Sequence, residues 1–150
     1  MVAQDGATDL RLWVRLLACA KIIEKGLRRN FQEQFDTTLP RFDVMAALDR
    51  AKSHGTDGLS MGELSRALLV SNGNVTSIVK QLQDRGMVDV RSDPSDGRSA
   101  IVSLSGEGAG HFAQLAVAHL GWVRTALADM PPEHQATLAH LLGELKSTLS

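Results

Sequence analysis

The chain has 150 residues, 43% of them hydrophobic and 22% charged, which fits one globular unit with helical extensions. Its formal charge of −1 does not advertise a nucleic-acid binder, so any positive charge that meets DNA has to be concentrated locally. No apolar run reaches the roughly 18 residues needed to span a bilayer. Asp5 and Asp9 stand where a secretory signal needs a basic stretch and then an apolar one. A single cysteine, Cys19, excludes an internal disulfide and a Cys-only metal site. The expectation is a cytoplasmic protein with no membrane span, metal or cofactor.

Residues 9–35 predict a long helix, with Leu10, Trp13, Leu17, Ala20, Leu27 and Phe31 at helical spacing. Leu12, Leu16, Cys19 and Ile23 fill other sides of it. A surface helix needs only one apolar stripe, so the surplus predicts burial by a partner as well as by the chain's own core. Thr37-Thr38-Leu39-Pro40 breaks the run, and Pro40 suits the start of a second helix carrying Phe42, Met45 and Leu48. Residues 53–58 are a loop by composition. Ser60 and Glu63 form a capping box for a short third helix with Leu64, Ala67 and Leu68 turned inward. Ser71 has N-cap chemistry for a fourth helix, which Gly86 ends.

The period then changes from helix to strand. Val88 and Val90 alternate in one strand over 87–91, and Val102 and Leu104 in another over 100–104. Between them, residues 93–97 are dense in turn-forming residues, which predicts a hairpin with a mobile tip. Ser105 opens a long helical region with Phe112, Leu115, Leu120, Val123 and Leu127. Met130-Pro131-Pro132 interrupts it, and Leu138, Leu141, Leu142, Leu145 and Leu149 stripe a final helix. The fold class is therefore mainly α with a small β-hairpin. Two short helices, a tight turn between them and a following hairpin make a winged helix-turn-helix.

In the fourth helix, Val75, Ile78, Val79 and Leu82 cluster on one side. Gly73, Thr76, Ser77 and Lys80 lie opposite, Asn74 and Gln81 lie on the flanks, and Ser71 and Asn72 open the helix. This face suits the major groove. Amides pair bidentately with adenine, Lys reaches guanine or phosphate, and small residues let the backbone approach. The window from Ser71 to Gln83 holds Lys80 and no acidic residue. On the hairpin, Arg91 and Arg98 flank a tip containing Asp96 and Gly97. An arginine there can enter a narrow minor groove, and Asp96 is placed to orient the Arg98 guanidinium. The candidate DNA-binding residues are these twelve: Ser71, Asn72, Gly73, Asn74, Thr76, Ser77, Lys80, Gln81, Arg91, Asp96, Gly97 and Arg98.

Residues 86–108, GMVDVRSDPSDGRSAIVSLSGEG, resemble the wing of the MarR family of transcriptional regulators. The pattern runs Gly86, Val88, Arg91, Asp96, Arg98, Val102, Leu104, Ser105. Gly97 departs from it, because a second basic residue is common there. The upstream stretch LSMGELSRALLVSNGNVTSIVKQLQDRG resembles that family's helix-turn-helix, and the likeness extends over about residues 9–149. It implies one MarR-like chain over 1–150, with a winged-helix lobe at 38–104 and dimerisation helices at 9–35 and 105–149. It implies a homodimer on a pseudo-palindromic operator in double-stranded DNA, acting as a repressor released by a small ligand. The VSNGNVT stretch resembles members that regulate hydroxycinnamate or other aromatic-acid catabolism, some of which respond to acyl-CoA thioesters.

Trp13, Leu17, Phe42 and Met45 are the candidate ligand lining under that likeness, and Arg11, Arg15, Arg28 or Arg29 suit an anionic effector. Two alternatives compete. Cys19 lies in the first helix, where some relatives carry a redox-sensing thiol. It has Lys21 as its one nearby cation and no second cysteine to resolve an oxidised sulfur, so a buried structural role is expected. A protein-interaction winged helix is the other, although it needs no arginine on the wing. Enzyme chemistry is not expected. The five histidines are scattered, and no phosphate-binding glycine loop or Ser/His/Asp arrangement is present.

Overall fold

Thirty consecutive helical residues, Gly6–Phe35, open the computed structural model, which describes residues 6–150. This helix, α1, ends where Asp36 takes a left-handed backbone (φ 49°). The second helix, α2, spans Leu39–Ser53, one residue earlier than Pro40 suggests. Its N-cap is Thr38, whose hydroxyl accepts from the Arg41 N–H at 3.3 Å. Met61–Leu68 form α3, capped by Ser60, and Asn72–Asp84 form α4, capped by Ser71. The long helix α5 covers Gly106–Leu127 and α6 covers Pro132–Leu149.

The hairpin strands are longer than their alternation suggests. One strand runs over Val88–Asp93 and the other over Asp96–Leu104, so the loop shrinks to Pro94 and Ser95. A further two-residue strand, Leu59–Ser60, pairs antiparallel with the second of these (Leu59 opposite Val102). In chain order these are β1 (Leu59–Ser60), β2 (Val88–Asp93) and β3 (Asp96–Leu104), and the sheet order is β1-β3-β2. Composition had marked the segment before Ser60 only as loop, because two residues carry no periodicity. Gly58 is what admits it. At φ 115° a side chain there would sit 2.6 Å from Ile101 Cγ2 and 2.8 Å from the Val102 carbonyl oxygen.

The chain divides into two compact units between Val117 and Ala118. In the first, Phe42 lies at the centre of the core. Its ring centroid is 4.9 Å from that of Phe31 on α1 and 5.5 Å from that of Phe112 on α5. Val44, Met45, Leu48, Leu64, Val75, Val79, Leu82, Val88, Val102 and Leu115 are buried with them. The lobe thus takes in the end of α1 and the start of α5, and its core is wider than the expected 38–104. Ala67 is exposed, not inward, and Leu68 only half-buried, so Leu64 alone anchors α3 in that core.

Ser105 ties α5 to the sheet. Its hydroxyl donates to the Gly86 carbonyl at 2.6 Å and accepts the Gly108 N–H at 2.9 Å. Gly108 is required by contact: a Cβ there would lie 1.8 Å from the Met87 carbonyl oxygen.

The amino-terminal half of α1 contrasts with this core. Leu10, Leu12, Trp13, Val14 and Ile22 are each more than half exposed. In the second unit, Gln135 Nε2 closes the turn into α6 by donating to the Leu127 and Met130 carbonyls (3.0 and 2.9 Å). No residue of α6 is buried, and Leu138, Leu141, Leu142 and Leu149 are exposed along its stripe.

Candidate nucleic-acid interface

The sequence of α4 divides it cleanly. Val75, Val79 and Leu82 are buried and hold it on the core. Ser71, Asn72, Gly73, Asn74, Thr76, Ser77 and Lys80 are all exposed. Ser71 Oγ accepts the Asn74 N–H at 3.3 Å, which satisfies one of the free donors of the first turn. Thr76 gives its hydroxyl proton to the Asn72 carbonyl (2.9 Å), leaving its oxygen able to accept and its methyl to touch an apolar group. Asn72, Asn74 and Ser77 therefore supply most of the free polar chemistry of this face.

Two expected contributors are otherwise engaged. Lys80 Nζ pairs with Asp84 Oδ1 at 2.7 Å, one turn along the helix and just beyond the acid-free window. Both side chains are well exposed, so the pair is weak, and phosphate can compete for the lysine. Gln81 is a sharper correction. It is half-buried, and its Oε1 accepts from Arg41 Nε on α2 at 2.8 Å, so it belongs to the packing between helices and not to the outer face.

The wing also differs from expectation in detail. Asp96 Oδ1 accepts the backbone N–H of Arg98 at 3.1 Å. It fixes the backbone of the tip and does not orient the guanidinium. On the other side of the turn, Asp93 Oδ1 accepts from both the N–H and the hydroxyl of Ser95 (2.9 and 2.8 Å). Those two bonds, the backbone one first, hold the Asp93 carboxyl below its usual range. The tip is thus braced by two aspartates that accept from its own backbone. Arg98 is exposed, and its guanidinium has no hydrogen-bond partner among the described residues. Arg91 is not at the tip. Its Nη2 donates to the Asp57 carbonyl at 2.7 Å and lies 3.9 Å from that residue's carboxylate, tying β2 to the loop before β1. Gly97 is exposed, with open space where a side chain would be.

Beside α4 lies a cavity of about 630 Å³. Arg28 and Gln32 of α1, residues 37–40 at the start of α2, and Val70, Asn74, Ser77, Ile78 and Gln81 line it.

The sequence pattern of the MarR family matches residues 35–99, from the end of α1 through the wing tip. The transcriptional activatory protein BadR of Rhodopseudomonas palustris is 34% identical over 113 residues, covering 71% of this chain. The chain spans 63% of that relative's length. A MarR family transcriptional regulator from Silicibacter pomeroyi superposes with a TM-score of 0.81 at 28% identity, over 99% of this chain and all of that one. Another, from Streptomyces coelicolor in complex with DNA, gives 0.82 at 22% identity, over all of this chain and 92% of that one.

The chain has the fold of these MarR family regulators. Its architecture is their winged helix, and the matched family and these neighbours are regulators of transcription and not enzymes.

In this chain the four expected ligand-lining residues are not brought together. Phe42 and Met45 are buried in the core, whereas Trp13 is 55% exposed and Leu17 is partly exposed on α1. None of the four lines the cavity beside α4. Of the arginines proposed for an anionic ligand, Arg28 does line it, although Glu24 approaches its guanidinium at 3.5 Å. Cys19 is exposed in the protomer, contrary to the buried role expected from its alanine neighbours. It shares α1 with the uncovered leucines, and one chain supplies nothing to bury it. Among the described residues no group of His, Cys, Asp and Glu is placed to hold a metal.

The residues that sequence reasoning missed are Arg41 and Arg85. Arg41 reaches Gln81 across 40 positions, and Arg85 Nη1 donates to the Asp36 carbonyl across 49 (2.9 Å). No local pattern marks a pairing at that separation.

Proposed function

We propose that this protein is a MarR-family, sequence-specific DNA-binding regulator that acts as a homodimer on a pseudo-palindromic operator, with α4 in the major groove and the wing over the adjacent minor groove. The observation that carries this reading is the outer face of α4. It is exposed from Ser71 to Lys80, free of carboxylates over that stretch, and seated on a buried Val75–Val79–Leu82 face. The unpartnered Arg98 guanidinium on a braced tip supplies local positive charge that the net charge of −1 conceals. The dimer is favoured by the apolar side chains left uncovered on α1 and on α6. A DNA-binding role is in keeping with a cytoplasmic location.

Repression lifted by a small aromatic acid or its CoA thioester is the regulatory reading. The DNA-bound relative and the activator BadR support DNA as the target more directly than they support any effector. Arg28 beside the α4 cavity would meet the carboxylate of such a ligand, and a ligand there would share Asn74 and Ser77 with the operator.

The test uses duplexes enriched from a randomised library by the wild-type dimer. Arg98→Ala is expected to weaken binding to the enriched duplex by about tenfold or more, in the range of one good groove contact, with the dimer still folded. Unchanged affinity in a titration at fixed salt removes the wing from the interface. A panel of aromatic acids and CoA esters, none of which dissociates the complex, would end the effector reading.

A further inference from the structure

We infer that Arg41, Gln81 and Arg85 are positioning residues that lock the rotation of α4 against the rest of the lobe, and that Gln81 is not a base-reading residue. The inference rests on the proposal that α4 reads DNA.

Two polar ties leave the same side of α4, one helical turn apart. Gln81 Oε1 accepts from Arg41 Nε on the first turn of α2 at 2.8 Å. Arg85, at the end of α4, donates through Nη1 to the Asp36 carbonyl at 2.9 Å. Both anchors are themselves held. The Arg41 backbone N–H donates to the Thr38 hydroxyl that caps α2. Asp36 sits in a left-handed conformation between α1 and α2, with Gln32 Nε2 on its carboxylate (3.3 Å) and the Thr37 N–H on the Phe31 carbonyl (3.3 Å). The ties therefore run from α4 to fixed points on α2 and on the junction between α1 and α2.

The apolar seat of α4 cannot do this work alone. Burial of Val75, Val79 and Leu82 is strong but has no direction, so it resists lifting of the helix more than turning of it. The reading side chains stand about 5–6 Å from the helix axis. A rotation of about 20° then moves them by about 2 Å, more than a hydrogen bond to a base edge tolerates. Two directional bonds on one side of the helix remove that freedom.

The same geometry takes Gln81 out of direct reading. Pairing with adenine needs both the oxygen and the nitrogen of the amide on one base. Arginine offers only donors, so the Gln81 oxygen must face Arg41. Arg41 also lies near a second cation. Loss of hydration and then the charge of Arg85 hold its pKa down, and the charge of Asp36 offsets part of this.

The experiment compares affinity for the library-enriched duplex with affinity for a scrambled one, base pair by base pair, in the full-length dimer. Gln81→Ala and Arg41→Ala are each expected to lower that ratio by about tenfold, the scale of one hydrogen bond to a charged group. The loss should spread over several base pairs of each half-site, and the double variant should be no worse than either single one. Gln81→Glu keeps an acceptor for Arg41 and should hold the wild-type profile; it also keeps the test available if an alanine variant fails to fold. A Gln81→Ala loss confined to one base pair and absent from Arg41→Ala makes Gln81 a reader and overturns the inference. So does failure of Gln81→Glu to hold the profile. If the wild-type protein enriches no sequence at all, the DNA-reading proposal falls and takes this one with it.

Discussion

Phe42 and Trp13 are large aromatic residues on successive helices, and they end in opposite states. Phe42 is 5% exposed, between the rings of Phe31 and Phe112, whereas Trp13 is 55% exposed on α1. The contrast holds for their neighbourhoods. From Leu27 onward α1 is anchored in the lobe by Leu27 and Phe31, while its earlier turns show solvent Leu10, Leu12, Val14 and Ile22. One helix therefore differs along its length: its end completes a core within the chain, and its beginning is left uncovered. Isolated apolar residues on a surface need no explanation, but a contiguous set at helical spacing does.

The largest effect should come from breaking the packed region. Phe42→Ala removes the ring shared by α1, α2 and α5, and should lower stability by about 3–5 kcal/mol. Urea unfolding followed by far-ultraviolet circular dichroism would measure it. A loss below about 1 kcal/mol would mean that the ring stack does not hold the lobe, and the comparison with α1 would lose its first term.

The uncovered region should respond differently. Leu12→Asp takes no contact from the lobe core, so the protomer should keep its helical content. Its charge would be desolvated in any helix-to-helix interface, a penalty of several kcal/mol per ion. Sedimentation should show a shift from dimer toward monomer, with dissociation raised at least about a hundredfold, and with it a loss of binding to the enriched duplex. A variant that remains fully dimeric would show that this face of α1 is not the interface.

Much of this contrast was legible in the residues. The surplus of apolar positions on α1 matches the side chains left exposed there, the caps Ser60 and Ser71 lie where their chemistry puts them, and Gly86 follows the end of α4. What local pattern carries, it carried well: helix period, cap, turn. What it could not carry were contacts fixed by tertiary geometry. Asp96 sits two residues before an arginine, and nearness in sequence suggested a guanidinium contact, yet the backbone N–H of Arg98 is the nearer donor. Arg91 belongs to the loop at Asp57 because β2 brings it there. Gln81 looks from its angle like a flanking reader, but an arginine 40 positions earlier claims its oxygen. The expected ligand set is not gathered in one place for a related reason. Apolar residues at helical spacing on α1 and α2 are read alike whether they line a pocket, fill a core or wait for a partner.

The smallest effect lies at the seam between the two regions. Asp43 follows Phe42 on α2, and loss of hydration, then the charge of Glu24 on α1, push its carboxyl up to about 6, with Arg28 opposing. A folded pKa above the unfolded value of about 3.9 means that the protonated form is the one the fold prefers. Below about pH 4 Asp43 is protonated in both states and costs nothing. As pH rises through 6 it ionises against Glu24, and the fold loses stability. Asp43→Asn should therefore melt higher than the wild type at pH 7.5, and the two should converge as pH falls to 4. The residue is exposed to solvent, so the gain should stay below about 1 kcal/mol. A melting difference that is flat from pH 4 to 8 would mean that the carboxylate is not strained there. An Asp43→Asn gain that is unchanged in a Glu24→Gln background would locate the cost in hydration, and one that shrinks would locate it in the repulsion across α1 and α2.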